Sequence, residues 1–91
     1  MTDEHAFLAS LRADGFAEPV DRRLEPQADN GEHTHPFEVR ALVTEGSITL
    51  RCDGQATTYG AGEIFRMAPN KPHSEEVGAE GVRYLSGRRV I

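Results

Sequence analysis

Two of the four histidines in this chain, His33 and His35, stand one residue apart at the head of the apolar segment HTHPFEVRALV. Residues spaced i, i+2 on a strand point to one face, so two imidazoles placed this way can grip one ion or crowd one pocket. Alone, such a pair is weak grounds for a metal. A third histidine, His73, follows the turn sequence APNKP and opens another β-like segment. Two neighbouring ligands plus one distant ligand is the usual arithmetic of a three-histidine centre with open coordination positions. The alternative is a polar pocket lined by the same three residues with no metal. His5 lies far from them in a helical segment and is expected to be solvated.

Two carboxylates accompany these histidines. Glu75 follows His73 by two residues and so shares its strand face. It can accept a hydrogen bond from a ligand imidazole, act as a general base, bind a metal, or merely line a rim. Glu38 lies just past His35 but, in a regular strand, faces away from the side that carries Val39, Ala41 and Val43. It reaches the histidines only if the strand bulges after Pro36. Glu75 and Glu38 are therefore the two candidate acid–base residues, and Glu76 is expected to be solvated.

The elements that position these groups are mostly β. One helix is expected from Thr2 to Ala13, with Thr2 as cap, Asp3 and Glu4 in the first turn, Arg12 near the end and Gly15 as the stop. Phe7, Leu8 and Leu11 give it a narrow apolar stripe for docking. Phe16 to Leu24 suits an edge strand because of Pro19, and the polar stretch EPQADNGE reads as a loop feeding His33. Val39 to Thr44 and Ile48 to Cys52 alternate, with Glu45-Gly46 read as a turn and Asp53-Gly54 as a hairpin. Ala56 to Tyr59, Ile64 to Met67, His73 to Val77 and Val82 to Leu85 complete about seven short strands, as in a sandwich or barrel. Phe37, Val39, Ala41, Val43, Ile48, Leu50, Phe65, Met67 and Tyr84 are the candidate apolar walls, and Arg88-Arg89 reads as a small surface patch.

Composition narrows the function classes. With 91 residues the chain makes one domain, 37% hydrophobic and 27% charged, which suits a globular rather than a disordered protein. A net charge of −5 argues against nucleic acid as a partner. The absence of a long apolar run argues against a membrane span, and a cytoplasmic location is the expectation. Cys52 is the only cysteine and is expected to serve as a small strand residue.

At this point the sequence resembles the cupin family. The stretch NGEHTHPFEVRALVTEG matches its first motif through His33, His35 and the closing Gly46, and GEIFRMAPNKPHSEEV matches its second through Gly62 and His73. The resemblance covers roughly residues 30 to 87. It implies an all-β, jelly-roll β-barrel over residues 16–91, with a short N-terminal α-helix in residues 1–15 packed on it and the histidines converging on a divalent metal. The chain departs from the pattern. Val39 occupies the motif's glutamate position, Ala68 its proline and Val77 its asparagine. Asn70 stands at a glycine position, where asparagine tolerates the left-handed turn.

His33, His35 and His73 are thus the expected metal ligands. Imidazoles suit iron, nickel, manganese, copper or zinc without choosing among them. The resemblance implies a metal-dependent oxidoreductase of dioxygenase type, or an isomerase, acting on a small organic molecule. The alternative is a non-catalytic module that binds or senses a sugar or organic acid. Edge strands and a small core also lead to the expectation of a homodimer, with Phe16 to Leu24 as a candidate edge.

Overall fold

The structure, a computed structural model, describes residues 3–29 and 31–90. Helix α1 spans Glu4–Ala13. The expected cap at Thr2 lies outside the described residues; Asp3 caps the helix, its carboxylate accepting the His5 backbone N–H at 3.0 Å. Glu4 and Arg12 sit at the two ends where the helix dipole favours them. Gly15 takes φ +78°, a left-handed value that lets the chain leave the helix.

Five strands follow: β1 (Val20–Leu24), β2 (Glu38–Cys52), β3 (Gln55–Gly60), β4 (Ile64–Met67) and β5 (Ser74–Arg89). All pair antiparallel in the order β1-β5-β2-β3, with β4 also on β2. The mostly β fold with one short N-terminal helix agrees with the expectation.

The count of about seven short strands does not hold, because two expected breaks are bulges. Gly46 does not turn the chain: β2 runs through it, and the β2–β5 register shifts between Val43 and Glu45 and between Gly46 and Ile48. On β5 the segments Ser74–Val77 and Val82–Leu85 are likewise one strand, with Gly78 to Gly81 left without β2 partners between them. Gly46 (φ +72°) and Gly81 (φ +76°) lie side by side, and a Cβ on Gly46 would run into the Gly81 carbonyl oxygen. A left-handed glycine inside a ladder absorbs an unpaired residue and bends the strand instead of reversing it. True reversal occurs at Asp53-Gly54, where both residues have positive φ (+55° and +77°), as a two-residue hairpin requires.

Alternation along the bent strands gives the sheet two apolar faces. Ala41, Val43, Ile48, Leu50, Phe65, Met67 and Tyr84 are buried together on the inner face with Val77 and Val82, and Val39 packs against them. Leu42 points the other way and joins Phe7, Leu11 and Phe16, with Ile64 and Leu85 packed alongside. The helix docks on this outer face. Gly87 permits it, since a Cβ there would meet Leu11 methyls at 2.8 and 2.9 Å. The helix therefore stays off the inner face, which remains available for a cavity. No described helix is long and apolar enough to cross a membrane.

Candidate metal centre

A single backbone feature assembles the site. His33, in the loop before β2, and His73, just before β5, form an isolated antiparallel bridge. The His33 N–H donates to the His73 carbonyl at 2.8 Å and the His73 N–H returns the bond at 3.0 Å. Such a pair brings the two Cα atoms to about 5.5 Å with side chains on one face. The ring centroids lie 4.5 Å apart. His35, two residues on, keeps to the same side, its ring 5.1 Å from each of the other two. The turn after β4 secures both halves: Asn70, at φ +59°, donates its N–H to the His35 carbonyl at 2.6 Å and leads into His73. The left-handed role expected of Asn70 is what the turn uses.

Hydrogen bonds at the far side of two rings set their chemistry. Nδ1 of His33 lies 3.1 Å from the Gly31 carbonyl oxygen, and Nδ1 of His73 lies 2.8 Å from that of Lys71. A carbonyl only accepts, so each Nδ1 carries the hydrogen and each neutral ring turns the Nε2 lone pair inward. Oε1 of Glu75 lies within hydrogen-bond distance of His33 Nε2, at 3.3 Å, and 3.8 Å from His73 Nε2. A carboxylate only accepts, so a proton or a metal cation must lie between it and the Nε2 atoms, and a metal ion can serve both rings at once. The His35 ring contributes one more donor, and burial, followed by the neighbouring His73 and His33, holds its pKa below the ordinary imidazole value despite the pull of Glu75. Neutral imidazole is the ligand form.

One ligand atom from each of His33, His35, His73 and Glu75 falls within 4.8 Å of all the others. Bonds of about 2.0–2.2 Å to one ion set donor separations of up to about 4.4 Å. The cluster needs only a few tenths of an ångström of closure, so these residues fit a divalent transition metal. His73 is 3% exposed and Glu75 is largely buried, so the ion would sit below the surface.

The carboxylates divide as strand alternation dictates. Glu75 points into the cluster. Glu38 is not brought there: no bulge follows Pro36, and Glu38 faces the helix side, where Arg89 holds it through Nη2 at 2.6 Å and Nε at 3.1 Å. Arg89 also donates to the Asp14 carbonyl at 2.6 Å, tying β5 to the end of α1. Val39, at the motif's glutamate position, instead lines the cavity as an apolar wall. Glu76 faces outward to Arg51 at 2.9 Å.

The cluster opens into a cavity of about 310 Å³. Phe37, Val39, Leu50, Phe65, Met67 and Tyr84 form its apolar lining, in line with their expected inner placement. The His35 ring stacks on Phe37 with centroids 5.2 Å apart. Sequence reasoning missed Arg22 and Arg88, which also line the cavity. Arg88 and Arg89 do not form one surface patch: Arg88, itself exposed, reaches the cavity, while Arg89 points to the opposite face and holds Glu38. The i, i+2 series from Tyr84 through Ser86 is the signal that identifies Arg88.

The profile of the cupin domain family matches residues 20–86. A comparison with curated proteins finds no match. Among solved structures, the chain superposes on the EutQ protein of Clostridium difficile with a TM-score of 0.71 at 12% identity, over 88% of this chain and 61% of that one. A cupin superfamily protein of Desulfitobacterium hafniense gives 0.67 at 13% identity, over 78% and 64%. The chain thus spans under two thirds of the length of both proteins. A protein of unknown function from Rhizobium leguminosarum gives 0.70 at 20% identity, over 100% and 98%. These likenesses concern the fold. With the profile covering most of the chain and both histidine motifs meeting in one cavity, this protein belongs to the cupin domain family.

Proposed function

We propose that this cupin binds one divalent transition metal through His33, His35 and His73, with Glu75 as the fourth donor, and acts as a metal-dependent oxidoreductase of dioxygenase type on a small organic molecule. The observation that carries the metal is the convergence of one ligand atom from each of His33, His35, His73 and Glu75 within 4.8 Å of one another, with Nδ1 of His33 and of His73 turned to backbone carbonyls and Nε2 inward. Glu75 would replace the carboxylate that the first motif lacks at Val39. A redox-active metal held by four protein donors keeps coordination positions open for substrate and dioxygen. Around it, Val39, Phe65 and Met67 exclude bulk water from one side. The carbonyls of Gly31 and Lys71 hold two rings in the ligating tautomer. We read the active species as a homodimer formed along the exposed β1 edge, where Val20 is 56% exposed. A clean monomer at low concentration in a size measurement overturns that assembly.

Elemental analysis of protein purified without added metal or chelator tests the centre. About one transition metal per chain, lost in His73→Ala, is expected. Dioxygen uptake with a panel of small organic substrates then tests the reaction. A protein that holds no metal, and takes up none when each is offered, overturns the proposal and leaves a small-molecule binding module.

A further inference from the structure

Most arginines of this chain are neutralised. Arg23 and Arg83 hold Glu45, Arg83 also holds Asp21, Arg40 holds Asp14, Arg51 holds Asp29 and Glu76, and Arg89 holds Glu38. Arg22 and Arg88 are different. Both line the cavity above the histidine cluster, and neither guanidinium has a hydrogen bond or an ion pair among the described residues. Arg12 and Arg66 also lack carboxylate partners but do not line this cavity, whereas Arg88, though exposed, does.

The register shows how the pair is mounted. Arg22 on β1 stands opposite Tyr84 on β5, and Arg88 lies four residues farther along β5 on the same face. That spacing is about 13 Å along the strand, short enough for two long side chains to close on one small molecule. The Arg88 guanidinium is held 4.5 Å from the centroid of Phe37, the same ring on which His35 stacks. Both guanidiniums are felt inside: burial raises the pKa of Tyr84, and Arg22 and Arg88 act against that shift. The charge balance of the lining is two arginines against Glu75, a net +1 before any metal, in a chain of net charge −5. A concave, partly apolar site of one sign concentrates ligands of the other.

We propose that Arg22 and Arg88 form an anion-binding clamp, so that the ligand of this cavity is a small organic acid whose carboxylate is bound by guanidinium while another of its donor atoms reaches the metal. The inference rests on the proposed metal centre only for that second anchor. Arginine forks fit a planar carboxylate through two parallel N–H···O bonds, which a lysine cannot reproduce. The cavity, near the lower end of the 300–1,000 Å³ typical of small-molecule sites, suits a compact acid.

The test is calorimetric titration of malonate against its neutral counterpart malonamide, with methyl phosphate as a third probe. Wild type, Arg22→Gln, Arg88→Gln, Arg88→Lys and the control Arg66→Gln are compared, each metal-loaded and metal-stripped, with metal content measured in every sample. Expected are malonate affinity at least tenfold above malonamide, and a loss of about tenfold in each glutamine variant at unchanged metal content. Arg88→Lys should recover only part, and Arg66→Gln should match wild type. Equal binding of malonate and malonamide by metal-loaded wild type, or full malonate affinity in both glutamine variants, overturns the clamp while leaving the metal centre standing. Tighter binding of methyl phosphate than malonate overturns the carboxylate assignment. Arginine-dependent preference for malonate in a protein that never takes up metal upholds the clamp and removes the metal anchor.

Discussion

The main chains of His33 and His73 hydrogen-bond to each other in both directions, although β2, β3 and β4 lie between them in sequence. This bridge joins the loop before β2 to the start of β5, so the histidine cluster and the closure of the fold are one structural event. Metal should therefore stabilise the protein strongly. At free metal about a hundredfold above its dissociation constant, the gain is about 2.7 kcal/mol, or about 10–20 °C in Tm for a domain of this size. Thermal melts before and after chelation check it, and His73→Ala should show no metal response. Identical melts of loaded and stripped wild type would be incompatible with a shared ion.

Glu75 and Glu38 separate the site from the scaffold. Glu75→Gln keeps shape but removes the inward charge, and metal affinity should fall about 10–100-fold. Glu38→Gln loosens Arg89 at the helix end, with a stability change of under about 1 kcal/mol and no change in metal affinity. Competitive chelator titrations of the two variants decide, and equal metal losses would contradict the assignment.

The metal-free protein should weaken in mild acid. The folded pKa of His35 is depressed, so the unfolded chain binds the proton more readily. Stability is then full above the unfolded imidazole value of about 6.5 and is lost as pH falls through the lower folded value. Urea midpoints of stripped protein between pH 7.5 and pH 5 should decline, and His35→Gln should flatten that decline. A midpoint that rises toward pH 5 would reverse the sign argued here.

Gly46→Ala should be among the most damaging single changes. It forces a side chain into a left-handed backbone and against the Gly81 carbonyl, at a cost of at least about 2 kcal/mol. Denaturant unfolding measures this directly, and a loss below 0.5 kcal/mol, on the order of a neutral surface change, would mean the bulge relaxes freely.

Leu11→Ala probes the opposite face. Leu11 is 1% exposed against Leu42 and Gly87, so its truncation should cost about 2–5 kcal/mol. Metal affinity of the folded protein should be unchanged, since the helix contributes nothing to the cavity lining. Coupled loss of metal affinity would show that the outer face tunes the inner one.

Much of this site was legible in local pattern. The i, i+2 spacing of His33 and His35, and of His73 and Glu75, already placed each pair on one face, because side-chain direction in a strand depends only on parity. Parity likewise placed Val39, Ala41 and Val43 inward and left Glu38 outside. Asn70 and Asp53-Gly54 announced their turns because few residues adopt positive φ. The reading of Gly46 failed for a physical reason: a left-handed glycine serves a reversal and a bulge equally well, and only its pairing with Val82 on β5, beside Gly81, decides between them.

What the sequence by itself determined is which side chains share a face, hence the ligand candidates, the inner wall and the helix stripe. The tertiary structure alone decided which faces meet. It set His33 against His73 through the bridge, turned Glu75 toward their Nε2 atoms, and brought Arg22 from β1 beside β5 over the same cavity. Facing is a property of each strand's own backbone, whereas meeting depends on long-range register, which no short stretch of chain encodes.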